Sequence, residues 1–246
     1  MNSDWQHDRN MLTWLARARA GALGAATRVD DQDVVFEELG AASRLAFLAE
    51  GCVELLVRWA GGDSRVWCLV PSPCLIGGTE LAGGLSSYLG TARSVGPSQL
   101  HWLDTDQLRS LVNDDAALAR EALADQCAQH GVTAIAALFP LAGAEQRLAT
   151  LLGTYLGVMG DPDGARVTLP IKRTQADLAA LAGLSPRSVS RVLAGWQKDD
   201  VVVKVRGYFS VDPALLWSRG GELARRAQPL LAAWTASRIA RARAAT

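Results

Sequence analysis

The sequence contains few of the side chains that bind metals or carry out redox chemistry. Its 246 residues include 4 cysteines and 3 histidines. The cysteines are Cys52, Cys68, Cys74 and Cys127, and no two of them have C-x-x-C spacing. A zinc or redox motif of closely spaced cysteines is therefore unsupported, and we expect thiols without disulfides, as in a reducing compartment. We assign no metal site.

Long apolar runs and common catalytic motifs are also missing. No run is long enough to span a bilayer, and the opening residues Asp4, Trp5 and Asp8 do not form a signal peptide. We expect a cytoplasmic protein with no membrane partner. There is no G-x-S-x-G motif, no P-loop and no Ser/His/Asp set, and a cupin-type metal centre needs more than the single His101 of the β-rich region. We therefore predict no catalytic residues and no enzymatic activity.

Net charge is zero overall, but the two signs are unevenly distributed. Up to residue 165 there are 11 lysines and arginines against 20 aspartates and glutamates, and from residue 166 onward there are 14 against 5. An acidic part is thus followed by a basic one. This asymmetry indicates a polyanionic partner for the C-terminal part alone.

Residues 173–196 contain the clearest local pattern, two short helices joined by a tight turn. Thr174 can cap the first helix, and Asp177 three residues later supplies the returning carboxylate of a capping box. Gly183 stands where the first helix must end, because a residue without a Cβ adopts the left-handed conformation at little cost. Ser185 can then cap the second helix. The pattern predicts a helix-turn-helix.

The second of these helices exposes arginines and hydroxyls on one face. Arg187, Ser188, Ser190 and Arg191 lie there, opposite the apolar positions that would pack on the first helix. Such a face suits insertion into a DNA major groove. The alternatives are an ordinary helical hairpin with a solvated basic face and a helix pair that binds another protein.

Predicted strands flank the helix pair. Val201–Arg206 and Tyr208–Val211 would form a hairpin around Gly207, and Arg166–Ile171 is a further extended segment. This arrangement is typical of a winged helix, whose wing lies near phosphate. The residues predicted to contact DNA are Thr174, Gln175, Ser185, Arg187, Ser188, Ser190, Arg191, Lys204 and Arg206.

Residues 28–104 are predicted to form a small antiparallel β-roll or barrel. Short apolar runs alternate there with glycine and proline turns, as in small all-β domains. The predicted strands lie at Val34–Phe36, Leu45–Leu48, Cys52–Val57, Val66–Val70 and Leu100–Leu103. A short amphipathic helix is predicted before them, within Trp5–Ala20.

Residues 108–141 are helical in composition and are predicted to form one long helix. Six residues recur at steps of four and three, as in a coiled-coil seam. They are Leu123, Cys127, His130, Ala134, Ala137 and Leu141. We expect this helix to form a homodimer, and the alternative is a helix packed on its own roll.

Together these segments resemble the CRP/FNR family of bacterial transcription regulators. The resemblance spans most of residues 28–216 and is strongest from Thr174 to Leu193, the family's DNA-binding signature. It implies an α+β fold with an N-terminal antiparallel β-roll of the cyclic-nucleotide-binding type, which is a double-stranded β-helix, then a dimerisation helix and a C-terminal winged helix-turn-helix. It also implies a homodimer that binds a palindromic operator in double-stranded DNA, with RNA polymerase as a further partner. The domains would be 1–107, 108–141, 142–218 and a basic helical extension, 219–246.

By this resemblance the base-contacting positions are Arg187, Ser190 and Arg191. The family usually has a glutamate where Arg187 stands. A carboxylate accepts a hydrogen bond from cytosine N4, whereas arginine donates to guanine O6 and N7. We therefore expect an operator half-site that differs from the family's common one.

The effector pocket implied by the resemblance departs from that of members that bind cyclic AMP. Those members hold the ribose with a Gly-Glu-Leu stretch and the cyclic phosphate with an Arg-Ser pair. Here Gly78 falls at the glutamate position and Tyr88–Leu89 at the Arg-Ser pair, while Glu80 and Arg93 are displaced along the chain. Without a cation a buried phosphate is uncompensated, so we do not expect cyclic AMP in the usual position.

The candidate pocket residues are Gly77, Gly78, Glu80, Tyr88, Leu89 and Arg93. An apolar ligand, a roll closed by its own side chains, and a shifted alignment that restores the glutamate and arginine all stay open.

The cofactor is left unknown. The candidate axial ligands for haem are His7, His101, His130, Cys74 and Cys127. The family's iron–sulfur members have several N-terminal cysteines, and here none precedes Cys52, which argues against such a cluster. Cys127, on the predicted seam, could face its symmetry mate and form a redox-sensitive pair.

Overall fold

The computed structural model describes residues 11–58, 64–169, 172–205 and 207–229. Within these ranges the chain separates into two compact units. The N-terminal unit contains residues 11–57 and 68–131, and the C-terminal unit contains the described residues from 132 to 229 together with residues 58 and 64–67. None of the described helices combines the length and the apolar character that crossing a membrane requires.

The N-terminal unit is built on two four-stranded antiparallel sheets, as predicted for a β-roll. One sheet has the strand order β1-β8-β3-β6 and the other β2-β7-β4-β5. The strands are β1 (Ala26–Val29), β2 (Val34–Phe36), β3 (Arg44–Glu50), β4 (Cys52–Arg58), β5 (Ser64–Pro71), β6 (Cys74–Ile76), β7 (Thr91–Ser94) and β8 (Ser98–Asp104).

The five strands predicted from apolar runs are all present. The sequence pattern did not predict β1, β6 and β7, and each of these strands has four residues or fewer. β1 shows why: three of its four residues are exposed, so no apolar alternation marks it. Its hydrogen bonds to β8, not the burial of its side chains, place it in the sheet.

The core of the N-terminal unit lies between the first sheet and two helices. The helices of this unit are α1 (Leu12–Arg19), α2 (Gly78–Ala82), α3 (Thr105–Asp114) and α4 (Ala116–Ala136). α1 covers the part of the helix predicted within Trp5–Ala20 that is described, and Trp5 lies outside the described residues. Trp14 of α1, Phe47 of β3 and Leu118 of α4 are fully buried together. The indole Nε1 of Trp14 donates to the Leu118 carbonyl at 3.0 Å, which joins α1 to α4.

The prediction of one helix over residues 108–141 is wrong. The helix is interrupted at Asp115, whose backbone is extended (φ −138°, ψ 102°). The Asp115 carboxylate accepts from the Ala117 N–H at 2.9 Å, so it caps the start of α4. α4 ends at Ala136, and a short 3₁₀ helix, Phe139–Leu141, follows around Pro140, which has no N–H to continue an α-helix.

The C-terminal unit is a winged helix, in agreement with the sequence pattern. Its sheet has the strand order β11-β12-β10-β9. The elements are α5 (Ala144–Met159), β9 (Asp161–Asp163), β10 (Arg166–Thr168), α6 (Gln175–Ala182), α7 (Pro186–Lys198), β11 (Val202–Val205), β12 (Tyr208–Val211), α8 (Pro213–Arg219) and α9, residues 221–229.

α5 is the central helix of this unit, and nine of its sixteen residues are buried. Gly153 lets α8 approach it closely, because a Cβ at this position would lie 2.6 Å from the Trp217 ring. The predicted extended segment Arg166–Ile171 is observed as β10 up to Thr168, and Ile171 lies outside the described residues.

Candidate nucleic-acid interface

The turn between α6 and α7 has the geometry that its capping residues predict. Thr174 Oγ1 accepts from the Asp177 N–H at 3.1 Å, and Asp177 Oδ2 accepts from the Thr174 N–H at 2.8 Å, which completes the capping box. Gly183 is left-handed (φ 62°, ψ 44°), and the Leu184 N–H closes the turn on the Ala179 carbonyl at 2.8 Å. The glycine is needed because a side chain is strained at this φ.

α7 buries one face and exposes the other. Ser185 caps it by accepting from the Ser188 N–H at 3.1 Å, and the two hydroxyls lie 2.9 Å apart. The buried residues are Val189, Leu193 and Trp196, and the exposed ones include Arg187, Ser190 and Arg191.

The two guanidinium groups of α7 are presented together. Arg187 and Arg191 are four residues apart, one helical turn, and no described residue forms an ion pair with either of them. Thr174 and Gln175 are also exposed, at the start of α6. Of the predicted contacts on the helix pair, only Ser188 is half-buried, since its hydroxyl faces the Ser185 cap.

Long-range contacts hold the C-terminal end of α7. The Trp196 Nε1 donates to Glu145 Oε1 at 2.9 Å, which ties the helix to the first turn of α5. Arg219 of α8 pairs with Asp199 at 2.7 Å and with the same Glu145 at 3.5 Å. The sequence does not predict these contacts, because the partners lie 20 to 74 residues apart and follow no local pattern. They fix α7 while its arginine face stays open.

The wing is the hairpin of β11 and β12, in which Lys204 lies opposite Phe209. Lys204 is exposed, with its ammonium 5.8 Å from the centroid of the Phe209 ring, as predicted for a wing cation. Arg206 lies outside the described residues. A second cation that was not predicted, Lys172, stands 5.4 Å from the Tyr208 ring at the same end of the hairpin.

Arg166 of β10 bonds both to the segment that follows α7 and to strand β12 of the wing. Its guanidinium donates to the backbone carbonyls of Asp200, Val201 and Ser210 at 3.0, 3.3 and 3.0 Å. The first two carbonyls follow α7, and the third belongs to β12. One side chain therefore links the end of the exposed helix to the hairpin.

Comparison with known protein families identifies the domain that contains these helices and the wing. Residues 146–219 match the family model of the Crp-like helix-turn-helix domain. The chain carries a Crp-like helix-turn-helix domain. This match confirms the resemblance of the stretch Thr174–Leu193, and the Crp-like domain includes α5 to α8.

Solved structures extend the likeness to most of the chain. A CRP-family transcriptional regulator from Thermus thermophilus matches with a TM-score of 0.68 and 19% identity, over 80% of this chain and 97% of its own. A CRP/FNR-family regulator from the same organism matches with 0.65 and 17%, over 80% and 98%. The c-di-GMP-responsive regulator CLP of Xanthomonas campestris matches with 0.62 and 18%, over 82% and 97%. The chain therefore has the fold of the CRP/FNR-type transcription regulators. No curated protein matches the sequence.

In this Crp-like chain, Tyr88 closes the predicted effector position. Its ring stacks on Phe36 with the centroids 3.9 Å apart, and its hydroxyl donates to the Arg44 carbonyl. A Cβ on Gly77 would lie 3.1 Å from the ring, so the tyrosine fills the space above this glycine. Burial raises the pKa of Tyr88. The packing of Tyr88 is compatible with a roll closed by its own side chains, one of the three alternatives that the sequence left open.

The two displaced polar residues already have partners inside the roll. Glu80 is buried and accepts from the Leu89 N–H at 3.1 Å. Arg93 lies opposite Glu54 on the neighbouring strand, and its Nε donates to Glu54 Oε1 at 2.7 Å. Because the Glu54 carboxylate is fully buried, a phosphate that approached Arg93 would have to compete with it.

The segment beside the predicted pocket is hydrogen-bonded to α4. Asp125 Oδ2 accepts from the Leu75 N–H at 2.9 Å, and the Gln129 side chain donates to the Leu75 carbonyl at 2.8 Å. The same Gln129 nitrogen also donates to Asp125 at 2.8 Å, and Thr79 donates to Gln126 at 3.0 Å. No local pattern predicts these contacts, since the partners are about fifty residues apart. The strand that leads into the predicted pocket is thereby joined to the middle of α4.

The candidate haem and redox residues that are described differ in burial. His7 is outside the described residues. His101 is buried with Nδ1 3.1 Å from the Gly24 carbonyl, whereas His130 is exposed. All four cysteines fall in the described part of the chain and none forms a disulfide. Cys127 is exposed and Cys74 is buried, and burial raises the pKa of the buried Cys68 thiol to about 12.

Proposed function

We propose that this chain is a homodimeric, sequence-specific DNA-binding transcription regulator rather than an enzyme. The observation that carries the proposal is the exposed face of α7, on which Arg187, Ser190 and Arg191 are presented by a Crp-like helix-turn-helix domain. Each protomer places this face in a major groove, and the two half-sites lie about 34 Å apart, one turn of the duplex.

DNA contacts divide into two groups. Arg187, Ser190 and Arg191 contact base edges and determine which sequence is bound. Thr174, Gln175 and Ser185 at the helix starts, Ser188 beside the second cap, and Lys204 on the wing contact phosphate and fix the orientation. Arg206 belongs to the second group by its position in the sequence, and we add Lys172 because it stands at the same end of the hairpin.

The exposed seam of α4 supports the homodimer. Leu123 is 57% exposed and Leu141, just after the helix, is 84% exposed. The intervening seam positions Cys127, His130, Ala134 and Ala137 are exposed as well. One face of α4 packs on the chain's own roll, and the exposed Leu123 and the exposed residues that follow it at coiled-coil spacing favour pairing of the other face with a second copy. We also keep the predicted domain boundaries, which end the roll domain at residue 107, the dimerisation segment at 141 and the winged helix at 218, as part of this proposal.

Cyclic AMP in the usual position is not part of the proposed mechanism. Tyr88 fills the space above Gly77, and Arg93 is paired with the buried Glu54. Gly78 and Glu80 are buried beside this position, and Leu89 is exposed. Operator binding without added nucleotide is the expected behaviour, in a cytoplasmic protein that acts on RNA polymerase at a promoter.

The test is selection of duplexes from fragmented genomic DNA, followed by binding measurements on the selected operator with Arg191→Ala. We expect the variant to lose roughly 1–3 kcal/mol of specific binding and to relax one base position. Lys198→Ala, which removes an exposed cation from the last turn of the same helix, is the matched control.

The dependence of affinity on salt concentration distinguishes binding to DNA from binding to a protein. Operator affinity should fall steeply as salt rises, because contacts with phosphate release counterions. Unchanged operator affinity in Arg191→Ala, or no duplex retained at low salt, would overturn the proposal.

A further inference from the structure

Arg147, in the first turn of α5, donates hydrogen bonds to three backbone carbonyls. Its Nε donates to Ala142 at 2.8 Å, its Nη2 to Pro140 at 3.1 Å and its Nη1 to Gly183 at 3.2 Å. The first two carbonyls belong to the linker, residues 137–143, which connects α4 to α5. The third belongs to the turn of the helix-turn-helix, 36 residues further along the chain.

These carbonyls suit a cation. Gly183 is the C-cap of α6, and Ala142 is the C-cap of the short 3₁₀ helix. Carbonyls at helix C-terminal ends lack intrahelical partners and carry partial negative charge. A guanidinium group, planar and with five donors, can bond to all three at once, whereas a lysine ammonium is a point donor that cannot reproduce this fork.

The linker is only partly buried: Leu138 and Phe139 are half-buried, and Leu138 lines a pocket together with Leu223 of α9. Leu141 is 84% exposed, and the hydrogen bonds of Leu141 and Ala142 to Leu138 and Phe139 are local. A local bond shapes the linker but does not attach it to the helix-turn-helix. Arg147 does so, because one side chain donates both to the linker carbonyls of Pro140 and Ala142 and to the Gly183 carbonyl of the turn.

We propose that Arg147 is a positioning residue for operator binding: it attaches the linker to the helix-turn-helix turn, and so fixes the spacing of the two α7 helices in the dimer. The inference rests on the proposed function. Once one protomer occupies its half-site, the second binds at an effective concentration that depends on the stiffness of the connection. Loosening the linker therefore weakens binding to a full operator and leaves the contacts of one protomer with one half-site unchanged.

The experiment measures the affinity of the full-length dimer for two duplexes, the selected full operator and a duplex with one half-site. Arg147→Lys keeps the positive charge, so the release of counterions is conserved. We expect its full-operator affinity to fall by about tenfold or more and its half-site affinity to stay within about twofold, because only the intramolecular step is impaired.

Arg166→Lys is the matched control. Arg166 also donates to three backbone carbonyls of the same domain, but to those of Asp200, Val201 and Ser210, away from the linker. Its loss should weaken both duplexes by the same factor. An operator with one base pair inserted between the half-sites gives a second readout, since Arg147→Lys should tolerate it better than the wild type.

Two outcomes overturn the inference. An equal loss on both duplexes in Arg147→Lys would mean that Arg147 only stabilises the winged helix, and an unchanged full-operator affinity would mean that the linker is fixed without it. If the wild type binds no duplex, the proposed function fails instead. Hydrogen exchange without DNA then decides: faster exchange of linker amides in Arg147→Lys than in Arg166→Lys supports the attachment, and equal exchange overturns it.

Discussion

Arg187 is a residue at which this chain departs from the regulators it resembles. It is exposed on α7, one turn from Arg191, and no described residue neutralises it. A guanidinium group can donate hydrogen bonds to guanine, whereas the glutamate common in the family accepts one from cytosine. We therefore propose that Arg187 changes the operator sequence that is preferred.

Arg187→Glu should therefore change the preferred base without abolishing binding. We expect a change from guanine to cytosine at one position of each half-site, with about 1–3 kcal/mol of discrimination. The measurement is selection from random duplexes by the wild type and by the variant. Lys198→Glu makes the same charge change at the far end of α7 and should leave the selected sequence unaltered. An identical sequence selected by Arg187→Glu would count against the base contact.

The cysteines differ in a way that the sequence alone does not show. Cys52, Cys68 and Cys74 are buried and Cys127 is exposed. Burial, with a smaller contribution from the nearby Asp125 carboxylate, raises the pKa of the Cys68 thiol to about 12, so it stays protonated and unreactive at neutral pH.

A thiol-specific reagent should modify Cys127 alone in the folded protein at concentrations at which the proposed dimer dissociates, because Cys127 lies on the proposed seam. Mass spectrometry of the intact chain should show one adduct at neutral pH under native conditions and four after denaturation. Cys127→Ser should give no native adduct. Rapid modification of Cys68 or Cys74 would contradict the burial of these residues.

Among the elements, α4 shows both what the sequence predicts and what it does not. Helical composition and the seam spacing correctly predicted a helix through residues 116–136. The break at Asp115 was missed because an aspartate inside a polar stretch resembles any exposed helical residue. Its capping role depends on where the preceding helix ends, and on Arg17, which lies 98 residues away and bonds to Asp115 at 3.1 Å.

Asp115 should contribute stability that depends on pH. The hydrogen bond from the Ala117 N–H, and then the Arg17 guanidinium, hold the pKa of this carboxyl below its usual range. A lowered pKa in the folded state means that the stabilisation is complete above the unfolded-state pKa and is lost as pH falls through the folded-state pKa.

Asp115→Ala should therefore lower the denaturant midpoint at pH 7, and the difference from the wild type should shrink towards zero in acid. Chemical unfolding at a series of pH values measures this. Asp114→Ala is the control, because this neighbouring carboxylate bonds only to the Ser110 hydroxyl of its own helix. A difference that does not vary with pH would exclude the carboxylate as its source.

The effector region shows a second feature that could not be predicted from the sequence alone. Spacing alone left an alignment in which Glu80 and Arg93 could both serve a ligand. The pairing of strands β4 and β7 determines the partner of Arg93, because it places this residue opposite Glu54. Registers depend on where short strands such as β7 begin, and no apolar pattern marked that strand.

At the scale of the whole molecule, the described portion of the basic part of the sequence, from residue 166 to residue 229, lies within the C-terminal unit. The basic part of the sequence includes the exposed arginines of α7 and the lysines of the wing, and the acidic part includes the β-roll. Global composition therefore agrees with the position of the Crp-like helix-turn-helix domain. Capping residues predicted the helix-turn-helix itself, because they act within a few positions of one another.

The dimer is tested at Leu123, which lies on the seam and is 57% exposed. Leu123→Glu would place two carboxylates across the seam, and like charges facing each other cost several kcal/mol. We expect the dimer dissociation constant to rise by about 100-fold, as measured by analytical ultracentrifugation. Leu215→Glu, which changes an exposed leucine of α8, should leave it unchanged. A dimer that persists in Leu123→Glu would place the interface elsewhere.

The hydrogen bonds between Leu75 and α4 also protect the protein from aggregation by strand addition at the edge of the sheet. β6 is the last strand of its sheet, and the outer backbone groups of an edge strand are a template on which a foreign strand can add. Asp125 and Gln129 occupy the N–H and the carbonyl of Leu75 as the next strand would. The side chains that hold α4 in place therefore also keep a growing fibril from starting at this margin of the roll.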